Sequence, residues 1–174
     1  NTKSPVTANQ TMRVSEGVFS RLATKIFFLE KNIIWSADGG LLPKPIIKIK
    51  GLTKEEGNKI YTTDKNETYL FDKRVQRVLE NGQLENLATF KTQINTIISG
   101  ASHIYVSLKN SGIASINKQT KKTADYRKNR LLSKLLPSGA SSFFFNNNVL
   151  WVGSGESGLY ELDVKNAENP KIIK

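Results

Sequence analysis

Histidine, the side chain that most often carries acid–base or metal chemistry, occurs once in this sequence, at His103. A catalytic or metal-bound imidazole works with partners, and no second His, no Cys and no close carboxylate pair accompanies this one. A structural or solvent-facing role is expected for it. The absence of cysteine removes disulfides, thiolate metal sites and thiol nucleophiles. The glycine-rich run from Gly153 to Gly158 lacks the lysine of a phosphate-binding loop. It also joins two strand-like segments rather than a strand and a helix. Ser154 within it therefore does not read as a nucleophile elbow, and the run reads as a turn. Asp38-Gly39-Gly40 reads as a loop, and Asn66-Glu67-Thr68 matches a glycosylation sequon only as a pattern. No catalytic residue, metal ligand or cofactor contact is expected.

The strongest positive signal is charge. The chain carries 26 basic and 15 acidic residues, a net +11. Such a balance attracts nucleic acid, anionic lipid or acidic polysaccharide. Seven basic residues lie between Lys118 and Lys134 against one acid, Asp125. Within this stretch Lys121, Lys122, Tyr126, Arg127, Lys128 and Arg130 are the candidate binding residues. The cations would hold an anionic chain and the Tyr126 ring would stack on a sugar or base. A solvated loop has the same composition. Trp35, Trp151 and the tyrosines could line a carbohydrate site, but large aromatics at repeating positions are expected to pack between units.

These residues need a frame. With 174 residues, 38% of them hydrophobic and 24% charged, the chain can build one sizeable core. No apolar run approaches the roughly 20 residues of a membrane-spanning helix. The first residue is Asn1 rather than Met, as expected after signal removal or in a trimmed chain, although no signal peptide is visible.

Internal repetition supplies the frame. Lys59-Ile60-Tyr61-Thr62-Thr63-Asp64 followed by Glu67 to Asp72 matches His103-Ile104-Tyr105-Val106-Ser107 followed by Ser111 to Asn117. Both match Val149-Leu150-Trp151-Val152-Gly153 followed by Ser157 to Asp163. Tyr61, Tyr105 and Trp151 thus recur at about 45 residues, a period typical of propeller blades. A fourth, less complete copy runs from Ile26 to Trp35 and resembles Phe143 to Trp151, which suggests a shortened first blade. The segments are rich in Ile, Val, Tyr, Phe and Trp, residues that suit a pleated surface. Val75 to Leu87 contains Gly82 and reads as strand, turn and strand. Arg127 to Leu136 could form a helical turn or two before Pro137. The expected fold is all-β: a β-propeller of about four blades of four antiparallel strands, or a section of a larger propeller. Approximate blades are 18–43, 44–91, 92–136 and 137–174. Closure could come from pairing of Met12 to Glu16 with a last strand at Pro170 to Ile173, or from other blades.

The stretch from Asn148 to Asp163, with Leu150-Trp151-Val152-Gly153, then Gly158-Leu159-Tyr160 and Asp163, resembles the two-component-regulator propeller repeat of bacteria. Ile94 to Ile98 ahead of His103-Ile104-Tyr105-Val106 is similar to that repeat's lead-in strand. Asp163 to Ile173 is also similar to the propeller repeat named for its Leu-Val-Ile-Val-Asp strand. The resemblance covers about residues 92–174 well and 44–91 loosely. Tyr61 and Tyr105 stand where the repeat has Trp. It implies extracytoplasmic propellers, periplasmic or at the bacterial cell surface, used as sensors or as surface and secretion accessories. It implies no ligand, because its motif residues specify strands and turns.

The expected function is a non-enzymatic recognition module binding a glycan, peptide or partner protein. One alternative is a structural section of a larger propeller, completed by other blades or another chain. The other is a polyanion-binding module that holds an acidic polymer on the basic loop.

Overall fold

The computed structural model describes residues 19–22, 25–38, 42–52, 59–155 and 158–174. Among these residues, sixteen strands form four sheets, each an antiparallel meander of four strands in chain order. The first sheet holds β1 (Phe19–Leu22), β2 (Lys25–Glu30), β3 (Ile33–Asp38) and β4 (Lys44–Lys48). The second holds β5 (Lys59–Thr62), β6 (Thr68–Phe71), β7 (Arg74–Val78) and β8 (Leu84–Thr89). The third holds β9 (Ile94–Ser99), β10 (His103–Leu108), β11 (Ile113–Asn117) and β12 (Thr123–Asp125). After a 3-10 turn (Tyr126–Lys128) and helix α1 (Arg130–Leu135), the fourth holds β13 (Ser142–Asn146), β14 (Val149–Ser154), β15 (Gly158–Asp163) and β16 (Lys171–Ile172). Four consecutive four-stranded meanders, stacked face to face, make four blades of a β-propeller.

Local chemistry explains the turns. The hairpin β2–β3 turns on Lys31 and Asn32, and β13–β14 on Asn147 and Asn148, all four with positive φ. Two left-handed residues in a row form the turn whose twist matches the flanking strands, and asparagine tolerates that geometry. Helix α1 starts where the Asn129 carboxamide oxygen accepts from the Leu131 and Leu132 amides. It ends ahead of Pro137, which cannot continue it.

Strand alternation gives each sheet two apolar faces, and three clusters bind the blades in series. Phe27, Ile34 and Ile49 of the first blade meet Ile60 and Leu70 of the second. Tyr69, Phe71 and Val75 of the second meet Ile104, Val106 and Ile116 of the third. Tyr105 and Ile113 of the third meet Leu150, Val152 and Leu162 of the fourth, with Leu132 and Leu136 beside them. The first strands neighbour one another, β1 beside β5 and β9 beside β13. Between them, the Lys59 ammonium of β5 donates to the carbonyls of Ile94 and Asn95 at 2.9 and 3.0 Å. Burial lowers the pKa of Lys59, with nearby Asp72 acting in the opposite sense.

Two sequence expectations change here. The first blade is not shortened, because β4 completes it and residues 44–48 belong to it rather than to the second blade. Pro45 opposes Trp35 on this outermost strand beside a bulge. An edge position is where a residue without an N–H fits. The repeat is also phased differently. Tyr61 lies on the first strand of its blade, whereas Tyr105 and Trp151 lie on second strands. The positional equivalent of Tyr105 in the second blade is Tyr69, and Ile26 to Trp35 spans second and third strands rather than first and second. Met12 to Glu16, the expected closing segment, lies outside the described residues. The last strand is β16, which pairs with β15.

Candidate functional site: the rim between the third and fourth blades

The basic stretch does three different things. Lys118 and Lys121 reach back to the second blade. The Lys118 ammonium lies 2.8 Å from Glu67, which also accepts from the Tyr69 hydroxyl at 3.1 Å. Lys121 lies 3.0 Å from Glu85, and the Arg77 guanidinium donates to the same carboxylate at 2.9 Å. Partial burial works against the charge on Glu67, but the hydrogen bond and charge of Lys118 and the Tyr69 hydroxyl outweigh it and lower its pKa. Glu85 is lowered chiefly by its hydrogen bonds from Lys121 and Arg77. These two lysines are clamps between blades.

Arg127 folds onto Asp125, donating from Nε to both carboxylate oxygens at 3.0 and 2.9 Å. The Asp125 carboxylate also accepts from the Arg127 amide, capping the 3-10 turn. This pairing holds the pKa of Asp125 below its ordinary value. Tyr126 turns inward. It is 2% exposed, and its hydroxyl donates to the Ala167 carbonyl at 2.7 Å. The stacking role expected of its ring is therefore corrected: a phenol anchored between two blades has no free face for a sugar or base.

Lys122 and Lys128 remain, both exposed. They line a groove of about 500 Å³ with Thr123, Asp125, Asn129 and Glu168. One wall is β12, the outermost strand of the third blade, which among the described residues has a strand partner on one side only. The opposite wall is the turn Glu168-Asn169-Pro170 leading into β16. Arg130 begins α1 and is exposed outside this lining. A smaller hollow of about 330 Å³ lies on the far side of Asp125 and Arg127, bordered by Thr89 to Thr92. The sequence showed the charge of this rim. It could not show that residues 168–170, some 40 positions downstream, supply its second wall.

His103 begins β10. Ser102 Oγ lies 2.9 Å from its Nδ1 and the Asn117 amide 3.4 Å from its Nε2. Partial burial lowers its pKa, partly offset by the charge of Glu168. Among the described residues, no group of three or more His, Asp or Glu side chains is placed to hold a metal ion. Three aromatic pairs stack within or between blades. Trp35 stacks on Phe28 at 6.4 Å, Tyr61 on Tyr69 at 6.4 Å and Tyr105 on Phe145 at 5.7 Å. No helix of the described chain is long and apolar enough to cross a membrane.

No family model matches the chain, and no curated protein matches it in sequence. Solved structures share its fold. The computationally designed protein Ika4 is similar at 12% identity with a TM-score of 0.61, over 87% of this chain and 92% of that one. The designed protein Ika8 is similar at 10% identity with a TM-score of 0.55, over 85% of this chain and 47% of Ika8. AztD from Citrobacter koseri is similar at 9% identity with a TM-score of 0.61, over 90% of this chain and 46% of AztD. The chain thus spans nearly all of Ika4 but about half of Ika8 and of AztD. At these identities the likeness is one of fold.

Proposed function

We propose that this chain is a non-enzymatic recognition module that binds an acidic, extended segment of a partner protein along the rim between its third and fourth blades. The observation that carries the proposal is the groove itself. It runs along β12, which among the described residues has a strand partner on one side only, and the exposed Lys122 and Lys128 line it beside the carboxylates of Asp125 and Glu168. An extended peptide gains main-chain hydrogen bonds from such an edge, and acidic side chains gain the two ammonium groups. The inward turn of Tyr126 favours a peptide over a sugar or base, because the groove lacks a stacking platform. An extracytoplasmic bacterial role as sensor or surface accessory is part of the proposal, supported by the resemblance of residues 92–174 to bacterial propeller repeats.

The test is fluorescence anisotropy with a labelled glutamate-rich peptide at low and moderate salt. Binding that weakens about tenfold or more in Lys122→Glu/Lys128→Glu, and weakens with salt, supports the proposal. An unchanged affinity in that variant, or preference for an acidic glycan over the peptide, would count against it.

A further inference from the structure

Strand β12 has two faces, and a hollow opens on each. Thr123 and Asp125 stand opposite Ile116 and Ala114 of β11, which pack toward the second blade. Ala124 stands opposite Ser115, whose hydroxyl reaches the Ala167 carbonyl of the fourth blade. Ala124 itself packs against the cluster shared by the third and fourth blades. Paired residues share a face of a sheet, and successive residues alternate between faces. Thr123 and Asp125 therefore border the hollow of about 330 Å³ beside Thr89 to Thr92. Lys122 and Ala124 lie on the other face, along the groove that Lys128 also lines.

The main chain alternates as well. The Asn117 amide donates to the Lys122 carbonyl at 2.9 Å. In an antiparallel ladder the bonded positions recur at every second residue, so Lys122 and Ala124 bond inward to β11. Thr123 and Asp125 then turn their N–H and C=O groups to the outer edge, where β12 has no strand partner among the described residues. A peptide strand that bonds to these groups places its own side chains alternately on the two faces. Residues opposite Thr123 and Asp125 enter the hollow, and those opposite Lys122 and Ala124 enter the groove.

The two spaces differ in chemistry. The groove offers the exposed ammonium groups of Lys122 and Lys128. The hollow offers the partly buried ring of Phe90 and the buried side chain of Leu108, with the hydroxyls of Thr92 and Ser111 on the same lining. Lys91 and Arg127 border it too, cations that attract the face of a ring and repel a basic side chain. An apolar wall with hydroxyl groups at hand suits tyrosine, whose ring gains by burial and whose hydroxyl then needs a partner. We propose that the segment bound on this rim is a strand in which acidic residues alternate with tyrosine. The acids face Lys122 and Lys128, and the tyrosines enter the hollow beside Phe90. This rests on the rim being the peptide site and adds the sequence pattern that the rim selects.

Fluorescence anisotropy of the whole chain with two labelled peptides of identical composition tests it. In one, glutamate and tyrosine alternate; in the other, the glutamates form one block and the tyrosines another. The alternating peptide is expected to bind at least about tenfold more tightly, because only its tyrosines reach the hollow while its acids reach the lysines. Thr92→Trp, which fills the hollow, is expected to abolish that preference and to leave the weakening by Lys122→Glu/Lys128→Glu in place. Ser111→Trp does the same from another wall, should Thr92→Trp lose its cooperative melt. Equal binding of the two peptides, both weakened by Lys122→Glu/Lys128→Glu, overturns the alternation and leaves the rim as a peptide site. A preference that persists undiminished with the hollow filled overturns it as well. Binding of neither peptide overturns both the alternation and the peptide site.

Discussion

Tyr126 sits in the middle of the most basic stretch of the chain and behaves as a core residue. Its hydroxyl shares the Ala167 carbonyl with Ser115, whose Oγ donates at 2.8 Å. Two donors on one buried acceptor predict a non-additive pair. Tyr126→Phe should cost about 1 kcal/mol, since Ser115 still serves the carbonyl. Adding Ser115→Ala should cost more than it does alone, because the double variant orphans a buried acceptor. Urea unfolding of the three variants measures this. Gly139 is a second sharp position. Its φ is +84°, and a Cβ there would stand 2.6 Å from the Leu108 carbonyl oxygen. Gly139→Ala should lower stability by more than about 1 kcal/mol in the same assay. Neither role is visible in the sequence. Composition around residue 126 shows charge, while the partner that makes Tyr126 structural lies more than forty residues away.

At the scale of elements, the sequence specifies structure wherever the signal is local. Alternation and turn residues predicted strands on both sides of Gly82, and α1 falls inside the segment expected to be helical before Pro137. Phase was not legible for a physical reason. Every hairpin of an antiparallel meander carries the same apolar alternation closed by a polar turn. A repeat can therefore slip by one strand without changing its pattern, as Tyr61 against Tyr105 shows. The blade contacts yield two predictions. Ser107 Oγ donates to the Ala140 carbonyl and accepts from the Ala140 amide, both at 2.7 Å. Ser107→Ala leaves both groups buried without that partner and should cost about 1–3 kcal/mol, measured by urea unfolding. The Lys118 clamp predicts a pH dependence. Glu67 is lowered in the folded chain from an ordinary 4.5, so protonation favours the unfolded state. Its contribution is complete above the ordinary value and disappears as pH falls through the lowered one. The melting temperatures of the parent and Glu67→Gln should therefore differ at neutral pH, by a stability of about 0.2–1 kcal/mol, and converge in acid. A gap that persists undiminished into strong acid would contradict the clamp.

For the whole molecule, the four-bladed frame explains how a dispersed surplus of charge becomes a local feature. Part of the basic stretch neutralises acids of the second blade and part caps its own turn, which leaves Lys122 and Lys128 on a rim whose other wall comes from the chain's last turn. That rim is the proposed binding surface. The direct measurement is an amide-resolved NMR titration of the intact chain with an unlabelled glutamate-rich peptide. Shifts concentrated at residues 122–129 and at Glu168 and Asn169 are the predicted result. Shifts absent there, or spread along the charged surface without saturation, would contradict it.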